Sequence, residues 1–248
     1  MADLRAMLQD GNPILGTVVT VDSPQVAEAL VLAGVQWLFL DSEHSAALDP
    51  GAVQRIVQAV GSRCPAVVRV PANDATWIHQ ALDAGADGVI VPHVRSAADA
   101  RQAVSAVKYP PLGARSVGIA RAHGYGLRFA EYLRSANDRT ALVVQIEDID
   151  AVEALPEILA VTGVDAVFVG PYDLSGSMGL LGQVDHPSVR AAVDEVRRVC
   201  AEAGMPLGIF TATAEAARAE VTSGSRLIAV GTDLGLMTSA AQAIADLV

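Results

Sequence analysis

"ALVVQIED" (141–148) and "AVFVGPYD" (166–173) decide the fold. Each opens as an apolar run suited to a strand covered on both faces and then ends in acids. "WLFLDSEHSA" (37–46) does the same, passing from Trp37, Leu38, Phe39 and Leu40 to Asp41, Ser42, Glu43 and His44. A strand that simply stopped would more often leave through Gly, Pro or Asn. Moving outward, similar runs occur at 14–21 ("ILGTVVTV"), 66–71 ("AVVRVP"), 88–94 ("GVIVPHV"), 206–212 ("PLGIFTA") and 226–233 ("RLIAVGTD"). Amphipathic stretches separate them. "SPQVAEALVLAG" (23–34) has Ser23 as N-cap, Pro24 in the first turn and Gly34 at the close. "DAVEALPEILAV" (150–161) and "SVRAAVDEVRRVCAEAG" (188–204) read as helices too, the first interrupted and kinked at Pro156.

Eight strand–helix units in 248 residues, without a linker or a shift in composition, predict one (β/α)8 TIM barrel domain spanning 1–248. A doubly wound open sheet is the alternative, but it would begin with a Gly-rich phosphate turn, and none follows the first strand. The longest irregular stretch, "KYPPLGARSVGIARAHGYGLRF" (108–129), reads as a loop folded over one mouth of the barrel.

Composition narrows the function. The chain is 52% hydrophobic with a mean hydropathy of +0.37, which suits a buried parallel sheet plus a subunit interface. No apolar run reaches the roughly 18 residues of a membrane span. Asp3 and Arg5 fall where the apolar part of a secretory leader would be building. A net charge of −11 argues against nucleic-acid or anionic-membrane partners. Cys64 and Cys200 form neither a disulfide framework nor a metal-spaced cluster, so a reducing cytoplasm is expected. Lys108 is the only lysine in the chain.

Barrel chemistry is built at the carboxyl ends of the strands. Those ends here carry Asp41, Glu43 and His44, then Arg69, His93, Gln145, Glu147, Asp148 and Asp173. Glu147 and Asp173 close neighbouring strands, where two carboxylates could share a Mg2+ or Mn2+ ion and leave its other positions to water and substrate. The plain alternative makes Asp173 a helix N-cap and Glu147 a surface acid. Arg69 lies in an apolar strand, where a guanidinium needs a partner: Glu43, a substrate carboxylate or a developing oxyanion. His44, an imidazole at a strand end, is the candidate acid–base group. His93 stays undecided, while His79, His123 and His186 read as bystanders. A Schiff-base aldolase needs a strand-end lysine, and Lys108 closes the helix after strand 4, at the wrong end. An enolate formed here would need a Lewis-acid cation.

Taken together, "DSEH" (41–44), "VVRVP" (67–71), "ALDAGADGVIVPHV" (81–94), "KYPPLGARSVG" (108–118), "VVQIED" (143–148) and "FVGPYDLSGSMG" (168–179) resemble the HpcH/HpaI aldolases, class II pyruvate aldolases. The resemblance implies a metal-dependent lyase that reversibly cleaves a 4-hydroxy-2-oxo acid to pyruvate or hydroxypyruvate and an aldehyde. It makes Glu147 and Asp173 the ligands of Mg2+, Mn2+ or Co2+, with Gln145 and the Gly170–Pro171–Tyr172–Asp173 segment contacting substrate. His44 becomes the general base, Arg69 the stabiliser of the transition state, and Asp83 the acid that raises the basicity of the histidine.

Asp83, however, falls late in the helix after strand 3, at the far end of the barrel. To act, it needs a different helix boundary or presentation by a neighbouring chain. "RAHGYG" (121–126) occupies the segment expected to bind the acceptor aldehyde. The resemblance also implies a cytoplasmic homohexamer with an exchanged C-terminal helix at about 235–248. Two rival functions are an oxaloacetate decarboxylase or acyl-CoA lyase using the same chemistry, and a non-catalytic barrel that binds a metal–oxoacid complex.

Overall fold

The computed structural model describes residues 3–247. Eight parallel strands close into a barrel in sequence order: β1 (Ile14–Val19), β2 (Trp37–Asp41), β3 (Ala66–Arg69), β4 (Gly88–Val91), β5 (Ala141–Ile146), β6 (Ala166–Val169), β7 (Leu207–Thr211) and β8 (Leu227–Thr232). All eight expected strands are present. Asp41, Arg69 and Gln145 lie within their strands, whereas Glu43, His44, His93, Glu147, Asp148 and Asp173 come after the last residue of theirs.

Helix α1 (Leu4–Gln9) precedes the barrel, and α2 (Pro24–Leu32), α3 (Pro50–Val60), α4 (Ala75–Asp83) and α5 (Ala97–Val107) follow β1 to β4 in turn. Ser23 caps α2 by accepting from the Val26 N–H, and Gly34 leaves it with φ of 101°, as its sequence position implied. Helix α6 (Phe129–Arg139) leads into β5. After β5 the helical segment breaks into α7 (Ile149–Glu153) and α8 (Leu155–Leu159), since Pro156 has no N–H for a continuous ladder. Helices α9 (Pro171–Ser177), α10 (Pro187–Ala203), α11 (Ala214–Thr222) and α12 (Asp233–Ala245) complete the ring.

Side chains alternate across each strand, so the barrel makes two apolar layers. Leu38, Leu40, Val68, Val89, Val144 and Val167 pack outward against the helices. Trp37, Phe39, Val67, Ile90, Val143 and Phe168 point inward. Gly16 admits the indole of Trp37, because a Cβ there would lie 2.4 Å from its Nε1. Leu4 and Leu8 of α1 join the inner layer and plug the amino-terminal mouth, each burial stabilising by about 1.5–3 kcal/mol.

Residues 108–128 do not cover the catalytic mouth. They lie along the amino-terminal end: Arg115 pairs with Asp83 at the close of α4, and Arg121 donates to the carbonyls of Ala84 and Val57. Lys108 is buried in the same region, donating to the carbonyls of Thr140 at 2.7 Å and Asn137 at 3.0 Å. Among the described residues, no helix is long and apolar enough to cross a membrane. The expected C-terminal helix is α12; its expected last residue, Val248, lies outside the described residues.

Candidate active site

The inward parity that fills the barrel with Phe39, Val67, Val143 and Phe168 delivers polar groups two residues later. Asp41 follows Phe39, Arg69 follows Val67, Gln145 follows Val143 and Gly170 follows Phe168. The ladder sets Asp41 directly beside Arg69 and Gln145 beside Phe168. One more step of two brings Glu43 and Glu147 over the carboxyl mouth.

Arg69 has its main partner in Asp41. Its Nε donates to Oδ1 at 3.0 Å and one terminal nitrogen to Oδ2 at 2.7 Å, a two-point fork. Glu43 Oε2 lies 3.1 Å from Arg69 Nε, and the guanidinium stacks 5.2 Å from the Phe39 ring centroid. Glu43, one of the partners expected for Arg69, does reach it, but register across the parallel strands makes Asp41 the main partner because it stands level with Arg69. Burial by itself would raise the Asp41 pKa, but the guanidinium and the N–H groups of His44 and Glu43 more than offset it and hold this carboxyl below its usual range. Burial would likewise lower Arg69, yet the surrounding carboxylates raise it, so it stays charged.

Glu43 behaves differently. Burial pushes its pKa up, Arg69 opposes the rise, and Glu147 adds to it. The two acids thus share one crowded mouth. Glu147 is almost wholly buried; its Oε1 accepts from the backbone N–H of His93 at 2.8 Å, and its Oε2 contacts Gln145 Nε2. Gly170 makes this possible, since a Cβ there would come within 3.1 Å of Glu147 Cβ and 3.3 Å of Gln145 Nε2.

Asp173 stands exposed in the first turn of α9, three residues past that glycine, and Pro171 occupies the N-terminal position of the helix. The Tyr172 side chain is exposed. His44 is exposed at the rim, 3.7 Å from Glu43 Oε2, and its backbone N–H is anchored on Asp41 Oδ1 at 3.2 Å.

One feature fits a hydrated divalent cation here: Gln145 Oε1, beside Glu147, is buried without a hydrogen-bond donor. Among the described residues no three His, Cys, Asp or Glu side chains form an enclosing set. A cation held by two carboxylates would take its remaining ligands from water and substrate, as Mg2+ and Mn2+ can.

His44, Arg69, Gln145, Glu147, Gly170, Pro171, Tyr172 and Asp173 all fall at the carboxyl mouth. Asp83 does not. It is the last residue of α4, 2.6 Å from a terminal nitrogen of the fully buried Arg115, at the opposite end of its own barrel. Helix direction decides this, because a helix that returns from the carboxyl mouth must end at the other one. "RAHGYG" lies at that end too, with His123 buried between Phe129 and Tyr132. Asp41 and His93 are the site residues whose roles sequence reasoning did not assign. An acid two positions beyond a buried aromatic is the local signal for Asp41; the strand-end position marks His93 but not its role, because its contacts come from the ends of two other strands.

Comparison with known proteins places the chain in a family. The sequence profile of the HpcH/HpaI aldolase/citrate lyase family matches residues 16–240. The 4-hydroxy-2-oxo-heptane-1,7-dioate aldolase of Shigella sonnei is 40% identical over 247 residues, covering 97% of this chain and 92% of that protein. A family protein from Burkholderia cenocepacia J2315 superposes with a TM-score of 0.93 at 37% identity, over 98% of both chains. The HpcH/HpaI aldolase from Desulfitobacterium hafniense DCB-2 gives 0.90 at 32% identity, over 100% of this chain and 97% of its own. A barrel whose inward strand positions end in an Arg–Asp fork and a ring of acids, matched this closely along its whole length, belongs to the HpcH/HpaI aldolase/citrate lyase family and is a lyase of the aldolase type.

Proposed function

We propose that this chain reversibly cleaves a 4-hydroxy-2-oxo acid to pyruvate, or hydroxypyruvate, and an aldehyde, with a divalent cation held by Glu147 and Asp173. The observation that carries the reading is the convergence of Asp41 and Glu43 on one guanidinium with Glu147 across the same mouth, while the sole lysine is sealed at the opposite end. Among the described residues no lysine amine stands where a Schiff base would form.

When bound, Mg2+, Mn2+ or Co2+ would supply the Lewis acidity that eases charge build-up on the substrate's 2-oxo oxygen. Gln145 and the backbone from Gly170 to Tyr172 orient the substrate carboxylate. Arg69, kept charged and aimed by Asp41, donates to the oxygen on which charge develops. His44 takes the proton of the 4-hydroxyl; the C3–C4 bond breaks, its electron pair stays with C3, and the aldehyde leaves. Protonation of C3 then yields the 2-oxo acid. We assign Asp83 to holding Arg115 rather than to this chemistry in its own barrel.

A cytoplasmic homohexamer with an exchanged C-terminal helix belongs to the same reading. It is supported by α12, whose Leu234, Leu236, Met237 and Ile244 are exposed in the single chain.

Turnover of pyruvate with a short aldehyde, and deuterium exchange into the pyruvate methyl group, test the assignment. Both should vanish with EDTA and return with Mn2+, and Glu147→Ala or Asp173→Ala should lower kcat/KM by more than about a hundredfold. Full activity after exhaustive metal removal would sink it. Sedimentation of the same preparation should show six chains; a monomer would refute the assembly.

A further inference from the structure

His93 has a role at this site that neither its sequence context nor the family reading gives it. It stands in the connection after β4 with a left-handed backbone, φ 55°, which a non-glycine residue adopts only at a cost. Buried Pro92 and Val94 flank it, so the conformation is held in place. That turn lets one residue address one oxygen twice. The His93 N–H donates to Glu147 Oε1 at 2.8 Å, and the ring Nδ1 lies 3.0 Å from the same atom. The far ring nitrogen, Nε2, lies 3.4 Å from Glu43 Oε1. The imidazole therefore spans the two acids that crowd each other across the mouth, one from the end of β2 and the other from the end of β5.

We propose that His93 is a positioning residue for the cation-binding carboxylate of Glu147, a strut that fixes its rotation and its spacing from Glu43. The proposal rests on the reading of Glu147 as a metal ligand. Each carboxylate oxygen offers about two lone-pair sites. Oε1 meets His93 twice, at the backbone N–H and at ring Nδ1, and Oε2 meets Gln145 once, so the carboxylate is pinned at both oxygens and keeps a lone-pair site on Oε2 for a cation. Partners of this kind commonly govern metal affinity by about 10- to 100-fold when removed.

The test compares two substitutions that both tolerate a left-handed backbone, so that neither is strained at this φ. His93→Gly keeps the N–H and removes the ring. His93→Asn puts an amide donor near the position of Nδ1. Mn2+ binding is measured on metal-stripped protein by electron paramagnetic resonance of the free ion, without substrate, alongside Glu147→Ala and thermal melts. We expect His93→Gly to bind Mn2+ at least about tenfold more weakly than wild type. His93→Asn should recover to within about threefold, and kcat of the Gly variant should rise towards wild type at saturating Mn2+. Wild-type affinity in His93→Gly, or equal weakness in the Gly and Asn variants, overturns the strut while Glu147→Ala still abolishes binding. Unchanged affinity in Glu147→Ala overturns instead the metal reading on which the strut depends.

Discussion

Arg69 shows how much one side chain depends on its orientation. Its planar head is fixed by two parallel bonds to Asp41 and by the face of Phe39. Lysine could keep the charge but not the fork. Arg69→Lys should therefore lower kcat/KM for pyruvate aldol addition by roughly 10²–10³-fold, with a smaller effect on KM for pyruvate. A loss confined to KM would mean that the guanidinium only binds. Much of this site was legible in the chain itself, because alternation along "WLFLDSEH" and "VVRVP" fixes which residues face inward. The Asp41–Arg69 pairing was not, since it depends on the stagger of two strands that are 28 positions apart in sequence. His93 was hidden for a related reason: its meaning lies in Glu43 and Glu147, neither of which is its neighbour in sequence.

At the scale of elements, the strand–helix alternation was readable from end to end, down to the cap of α2 and the break at Pro156. The long segment after α5 was harder to place. Its glycines, prolines and arginines announce a loop, but nothing in them says which mouth it serves. The structure answers through buried charge: the Arg115 guanidinium is stacked 4.7 Å from the Tyr109 ring centroid and paired with Asp83. Asp83→Ala would leave that cation buried without its counter-charge, and breaking such pairs typically costs about 3–5 kcal/mol. Because Asp83 is partly exposed and water can replace some of the interaction, we expect about 1–3 kcal/mol, read as a lower urea midpoint at constant slope. A midpoint equal to wild type would show that the pair contributes nothing to anchoring the loop.

The whole molecule carries an excess of acid, and one of those acids should govern its response to pH. Burial raises the Asp87 carboxyl, which accepts from the Ala66 N–H between β3 and β4, from 3.8 to about 6. Between those values the folded chain keeps a proton that the unfolded chain has released. Stability contributed by the neutral form is present below about pH 4 and is lost as the pH rises to about 6. Asp87→Asn preserves the acceptor without the charge. It should flatten that part of the stability profile and raise stability at pH 7 by roughly 1–3 kcal/mol. Denaturant melts at pH 4, 5, 6 and 7 would show it, and parallel profiles for the two proteins would refute it.

The sealed Lys108 has a practical consequence as well. Its side chain is only 2% exposed, so succinimidyl esters and glutaraldehyde meet no ε-amino group on the surface of this fold. Coupling to a bead or a dye is left to an α-amino terminus, which would tether every copy at the same point. Trypsin, correspondingly, can cut the native surface only at arginine.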